Sequence, residues 1–283
     1  MRYTRYRPGP AIAGHVAYLW SLRDSPGHSL ERIVPSGTLE LVVNLHDDEV
    51  RIYDARGAIC HRLSGAVVSG AYRRFFVVDT RLHASMLGVH FRPGGAAAFK
   101  GVTPGELADR HVDLEALWGA EARDLRERLC AVGTDADRFA VLEDALLSRL
   151  HTQHHSHRVV PFALRQLARP GVTVGEVAAQ VGLSRRRLIE VFTAQVGMGP
   201  KCLSRVLRFQ RATEMARRDS APDWARLALA CGYSDQSHLI HDVTELTGSP
   251  PTAMAPAGKN VKEFHLAVAD GFKFLQDAHV ASQ

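Results

Sequence analysis

The sequence predicts an α+β protein in two parts, a β-rich N-terminal half with flanking helices and an all-α C-terminal half. Three observations carry this. Short apolar runs bounded by turn residues recur at intervals of about ten residues through the first hundred positions, as the strands of a sandwich or barrel do. From Thr103 the apolar spacing changes to the helical period. Between Val172 and Pro251 one pattern is written twice, with Ala178 and Gly182 echoed by Ala228 and Gly232 50 positions on.

The strand signals come first in the chain. Leu39–Leu45 is an apolar run closed by His46-Asp-Asp48, and Val50–Asp54 alternates before stopping at Ala55-Arg-Gly57. Phe75–Val78 and Met86–Phe91 follow, each bounded by Gly, Pro or Asp. Pro93 and the glycines after it turn the chain into a short helix near Ala96. Leu107, Val112, Leu114, Leu117 and Trp118 then lead into helices over Glu121–Val132 and Asp137–His151, expected to pair with each other or with a second subunit. The tract His151-Thr-Gln-His-His-Ser-His157 reads as a solvated linker rather than a metal site, since no carboxylate or thiol accompanies it.

The C-terminal half is helical throughout. Val159–Ala168 stops at Arg169-Pro-Gly171. Thr173 with Glu176 forms a capping box, Ser184 caps the next helix, and Pro200 opens a long helix rich in arginine. In each copy of the repeat the small Ala lets the second helix cross the first closely, and the Gly four residues on supplies the positive φ of a tight turn. An apolar pair follows in each copy (Leu188/Phe192, Leu239/Val243), then a closing Gly-x-x-Pro at Gly197–Pro200 and Gly248–Pro251. Each copy is a helix-turn-helix. The boundaries are therefore 1–150 for the β-rich domain with its helices, 151–157 for the linker, 158–255 for the double helix-turn-helix, and 256–283 for a tail with an amphipathic patch around Phe264–Leu275.

Charge sharpens the reading. The formal net charge is +5, but residues 1–157 hold 19 basic and 19 acidic side chains. Residues 158–218 carry 12 basic against 3 acidic, whereas 219–255 carry 1 against 5. A cationic patch on a helix-turn-helix is the footprint of a polyanion, and the second helix of such a motif reads base edges in the major groove of double-stranded DNA. The acidic second copy is expected to bind more weakly than the first. No run is long and apolar enough to cross a membrane, and the N-terminus lacks a secretion signal, which implies a cytoplasmic protein. The four cysteines show no metal or disulfide spacing and read as small buried hydrophobes.

The pattern Ala178-x3-Gly182-Leu-Ser…Phe192…Gly197-x-x-Pro200…Ala228-Leu-Ala-Cys-Gly232-Tyr-Ser-Asp-Gln-Ser-His238…Thr247-Gly248-x-x-Pro251 resembles the DNA-binding domain of AraC/XylS-family transcription regulators. The resemblance implies base-reading roles for Arg186, Ile189 and Glu190 in the first recognition helix and for Gln236, Ser237, Ile240 and His241 in the second. Arg185, Arg187, Lys201 and Arg205 are the phosphate contacts expected from charge and position. Glu190 and His241 stand where family members often carry Arg. Glu31–Asn44, Leu87–Gly95 and Ala108–Gly119 are similar to a β-rich N-terminal domain of unassigned effector found on some of these regulators. Elsewhere in the family that place is taken by a cupin-like barrel that senses a small molecule.

For a small-molecule effector the candidates are polar residues set among apolar strands: Glu40, Asn44 and His90, with Arg32 able to pair an acidic ligand or Glu40 itself. No metal cluster of the cupin type is present, and neither cofactor nor enzymatic motif is indicated. RNA polymerase and a second copy of the chain are the other partners this family implies. Two further classes stay open: a small-molecule binder with silent DNA contacts, and a DNA-repair or modifying enzyme carrying this module. The second would need a nucleophilic or zinc-binding cysteine cluster, and Cys60 has no partner cysteine nearby.

Overall fold

The computed structural model describes residues 2–23, 30–54, 60–151, 158–219 and 221–253. Most of the His-rich linker and the tail beyond residue 253 lie outside them. The N-terminal strands are β1 (Arg2–Tyr6), β2 (Val16–Arg23), β3 (Leu30–Ile33), β4 (Glu40–Asn44), β5 (Glu49–Tyr53), β6 (Cys60–Ser64), β7 (Ala66–Ser69), β8 (Phe76–Asp79), β9 (Ser85–Phe91) and β10 (His111–Asp113). They form two antiparallel sheets, one in the order β1-β2-β9-β4-β7-β10 and one in the order β3-β8-β5-β6. Among the described residues no ladder joins the two.

Strand alternation gives the larger sheet two different faces. One presents Leu19, Leu41, Val43, Val68, Leu87 and Val89, all buried, to a layer of helices. These are α1 (Leu114–Trp118), α2 (Ala120–Ala131) and α3 (Asp135–Arg149), which contribute Leu114, Leu125, Leu129, Phe139, Leu142 and Leu146 to that core. The helices of this region therefore pack on their own sheet. The other face turns toward the smaller sheet, where Val67 meets Val50, Ile52 and Val78.

Two expectations are corrected. Val112, expected in a helical segment, pairs with Val68 as part of β10, because the sheet edge offers its backbone a ladder. Of the cysteines only Cys231 is buried; Cys60 and Cys130 are exposed and Cys202 is intermediate. The short helix expected near Ala96 is a 3-10 segment, Gly95–Ala98.

The C-terminal domain comprises α4 (Val159–Leu167), α5 (Val174–Gln180), α6 (Arg185–Val196), α7 (Pro200–Arg217), α8 (Trp224–Cys231) and α9 (Gln236–Thr247). Helices α5–α6 and α8–α9 are the two helix-turn-helix units. Ala178 and Ala228 are buried where the helices cross, and Gly182 and Gly232 have φ of +66° and +85°. An added Cβ at Gly182 would meet nothing within 4 Å, so its positive φ, rather than space, calls for glycine there. Both turns close with the same bond, Leu183 N to Ala178 O at 3.0 Å and Tyr233 N to Ala228 O at 2.9 Å. The core does not stop at the domain boundary. Leu39, Phe91 and Phe99 share one cluster with Val160, Val196, Leu203, Val206 and Phe209.

Candidate DNA interface and its seat on the N-terminal domain

The two second helices start alike. The hydroxyl of Ser184 accepts from Arg187 N at 3.1 Å at the start of α6, and Asp235 accepts from His238 N at 2.8 Å at the start of α9. Each cap satisfies an amide that a helix N-terminus leaves without a partner, and so fixes where the helix begins. From those caps the positions correspond: Arg185 to Gln236, Arg186 to Ser237, Ile189 to Ile240, Glu190 to His241. All eight side chains are exposed. Leu188, Phe192, Leu239 and Val243, on the opposite faces, are buried. Two matched isoleucines, 38% and 39% exposed, stand among polar neighbours on both helices, an arrangement that burial does not account for.

On α6 Arg186 and Arg187 pair with Glu190. Arg186 Nε donates to Glu190 Oε1 at 2.9 Å, and Arg187 Nη1 lies 3.4 Å from Oε2. The Arg186 hydrogen bond holds the Glu190 carboxyl below its ordinary range. Lys201, at the start of α7, is exposed.

Arg205 is placed differently from Lys201. Its Nε donates to Asp242 Oδ1 at 2.8 Å and its Nη2 to Glu245 at 2.5 Å, while Arg208 Nη2 donates to Asp242 Oδ2 at 2.9 Å. Asp242 is buried, so the network locks α9 to α7. A buried carboxylate deprived of one partner is costly, although the pair itself need add little over an apolar replacement. Arg208 also lies 4.5 Å over the Tyr233 ring. Arg211 donates to Ala168 O at the end of α4, and Arg218 pairs with Glu214. Arg205 and Arg208 thus turn their charge inward.

The same bookkeeping applies to the acidic second repeat. Asp223 and Asp235 cap helices, Asp219 accepts from Ala221 N in a turn, and Asp242 and Glu245 face α7. The exposed face of α9 carries Gln236, Ser237, Ile240 and His241 and is neutral rather than acidic.

The Gly-x-x-Pro closures also touch the N-terminal domain. Gly197 and Gly248 end α6 and α9 with φ of +80° and +75°. A Cβ on Gly197 would come within 2.8 Å of Pro104 O, and one on Gly248 within 2.6 Å of the Phe75 ring. Beside Gly197, Gly105 N donates to Ala194 O at 3.1 Å. Beside Gly248, Phe75 N donates to Leu246 O at 3.1 Å, Arg32 Nη1 donates to Ser249 Oγ at 3.0 Å, and Arg74 pairs with Glu245 at 3.1 Å. Between them, Gln210 of α7 donates to Ser36 O at 3.0 Å, and Leu203 and Val206 pack on Gly37.

The four effector candidates separate. Arg32 belongs to this seam, stacked 5.1 Å from the centre of Phe75. Asn44 is consumed by the backbone: its amide donates to Glu49 O and Leu82 O, and its oxygen accepts from the amides of His46 and Asp47. Glu40 and His90 come together, opposite one another in register, with His90 Nδ1 3.8 Å from the carboxylate. They belong to a row that crosses five strands: Tyr18, His90, Glu40, Ser69, His111. Tyr18 stacks on His90 at 4.7 Å and lies under the Arg5 guanidinium at 4.6 Å. Trp20 Nε1 donates to Glu40 at 2.8 Å, and Ser69 Oγ is 2.9 Å from His111 Nδ1. Burial pushes the Tyr18 hydroxyl well up, with Glu40 adding to the effect, and pushes His111 down to about 3. Sequence reading missed Tyr18, Ser69 and His111, because only strand pairing brings them into one line. Among the described residues no group of three or more metal-ligating side chains is assembled, and no helix is long and apolar enough to cross a membrane.

Two stretches of the chain match known families. Residues 4–113 match a family described as a domain of unknown function, DUF6597, and residues 177–256 match a helix-turn-helix domain. No curated protein matches at a significant level. Among solved structures, ToxT from Vibrio cholerae is similar at 8% identity and a TM-score of 0.44, over 91% of this chain and 100% of that one. An AraC-type DNA-binding domain from Chromobacterium violaceum is 24% identical over 35% of this chain and 90% of its own, with a TM-score of 0.32. A probable AraC family transcriptional regulator from Rhodopseudomonas palustris is 25% identical over 35% and 92%, with a TM-score of 0.30. The paired helix-turn-helix units and the match over residues 177–256 together make the C-terminal domain a helix-turn-helix domain of the AraC type.

Proposed function

We propose that the chain binds a two-part site in double-stranded DNA with α6 and α9, under the control of a small molecule taken up between the two N-terminal sheets. The observation that carries the DNA reading is the matched set of exposed positions on two identically capped helices, Arg185/Gln236, Arg186/Ser237, Ile189/Ile240 and Glu190/His241. Helices of this kind, set one turn of duplex apart, engage sites whose centres are about 10 base pairs apart. Arg185, Arg187 and Lys201 supply the phosphate contacts, and Arg205 supports the domain from within. RNA polymerase and a second copy of the chain are the further partners this reading implies at a promoter.

The effector reading rests on the polar row from Tyr18 to His111 and on what each sheet holds. The end of α6 sits against Pro104 and Leu39, just before β4 of the larger sheet. The end of α9 sits against Phe75 and Arg32, which flank or belong to β8 and β3 of the smaller sheet. A ligand that alters the spacing of the sheets would alter the relation of α6 to α9. Its effect is bounded by its differential affinity for the two arrangements.

Fluorescence anisotropy with duplexes selected from a random pool tests the proposal. Sequence-specific retention by the full chain, reduced at least tenfold in Arg186→Ala, is the expected result. Equal binding of all duplexes by parent and variant would overturn it.

A further inference from the structure

We infer that Glu190 is a positioning residue for base recognition, orienting Arg186 toward guanine rather than reading a base itself. The inference rests on the reading that α6 enters the major groove. Glu190 lies one helical turn beyond Arg186 on the same face, the spacing at which side chains on a helix meet. Arg186 Nε binds one carboxylate oxygen at 2.9 Å, and Arg187 Nη1 approaches the other at 3.4 Å. Both oxygens are therefore directed back along their own helix, which leaves neither aimed at a cytosine amino group.

The guanidinium is a rigid planar fork, so fixing its Nε–H against a carboxylate fixes the plane of the whole group. The end carrying Nη1 and Nη2 makes no hydrogen bond among the described residues. Two parallel donors on that end match the O6 and N7 acceptors of guanine in the major groove. Without Glu190 the side chain, 90% exposed, would sample many rotamers and lose that freedom on binding. A carboxylate one turn beyond the run Arg185-Arg-Arg187 also weakens attraction to phosphate wherever the helix lies. Its effect is selective: it lowers affinity for every sequence while raising the share of binding that depends on the base. The second repeat lacks the device, with Ser237 and His241 at the corresponding places.

The test compares the full-length parent with Glu190→Gln, Glu190→Ala and Arg186→Lys, using selection from a random duplex pool followed by anisotropy at fixed salt. In Glu190→Ala the preference for guanine at the position that depends on Arg186 falls about tenfold. Affinity for random duplex rises and the melting temperature stays unchanged. Arg186→Lys loses the same preference because an ammonium cannot present the fork, and Glu190→Gln falls between parent and Ala. A cytosine preference that disappears in Glu190→Ala while the guanine preference persists would make Glu190 the reader and overturn the inference. If Glu190→Ala changes neither preference, the inference is overturned while the DNA reading stands. A parent that enriches no sequence overturns the DNA reading and this inference together.

Discussion

Arg205→Ala separates a structural cation from a phosphate contact. The parent side chain makes two charge-assisted hydrogen bonds, to Asp242 at 2.8 Å and to Glu245 at 2.5 Å. Asp242 keeps Arg208 at 2.9 Å and has His238 at 4.0 Å, so it is weakened rather than stranded. Bonds to charged groups contribute about 1.5–3 kcal/mol each, and removal of one partner of a buried pair costs about 3–5 kcal/mol when nothing else compensates. With Arg208 remaining, and Glu245 partly solvated, the expected loss is about 2–3 kcal/mol. At roughly 2–4 °C per kcal/mol for a chain of this size, the melting temperature falls by about 4–12 °C. Lys201→Ala, one turn away on the exposed surface, should move stability by no more than about 0.5 kcal/mol. It should instead reduce the dependence of log affinity on log salt by about 0.9, the effect of one phosphate contact. Thermal melting and a salt titration on both variants decide the matter. An Arg205→Ala protein that melts like its parent and loses one unit of salt slope would refute the inward placement.

Three further outcomes follow from the seams and buried groups. Gly248→Ala combines a φ of +75° with a Cβ 2.6 Å from the Phe75 ring, so chemical denaturation should show a loss of about 1–3 kcal/mol. Phe75→Ala in the same chain should recover the steric part, and strict additivity of the two changes would count against the contact. His83 and His111, which burial holds down to about 4 and about 3, are neutral in the folded chain. Unfolded histidines titrate near 6.5, so their contribution is fully present above that pH and is lost as pH falls toward 4 and below. Glu245, held low by its hydrogen bond from Arg205, adds stability above the ordinary carboxylate range and loses it on further acidification. Urea midpoints should therefore be flat from about pH 7 to 8 and fall from about pH 6.5 downward, and His111→Phe should remove part of the fall. Ile189→Ala and Ile240→Ala should each reduce a thymine preference in selected DNA by about tenfold, since the exposed methyl groups suit the thymine C5 methyl; unchanged thymine preference would remove them from the reading face.

The parts of the fold that local chemistry dictates were legible in the sequence. Thr173 with Glu176, Ser184, and the glycines at 182 and 232 act on residues within a turn of themselves, so their meaning survives without knowledge of the fold. The central strands announced themselves because Leu41, Val43, Leu87 and Val89 alternate toward one core. Strand β1 did not, since Arg2-Tyr-Thr-Arg-Tyr6 is a charged edge whose pairing partner is β2 alone. The site residues were least legible where a side chain works across the chain. Arg32 reaches Ser249, and Asn44 looked like a ligand group because the backbone atoms it satisfies lie in another turn. The surplus charge on 158–218 was visible, but not that Arg205 and Arg208 point inward. The sequence leads to weaker binding by the acidic second repeat, but it does not show that those carboxylates lie on caps, a turn and the α7 seam.

The most direct test of the central claim is selection of duplexes by the full-length chain from a random pool. Two blocks of preferred bases, centred about 10 base pairs apart, are predicted. The first should contain guanine and vanish in Arg186→Ala, and the second should depend on Gln236 and Ile240. Enrichment of a single block untouched by changes in either helix, or no enrichment at all, would contradict the account.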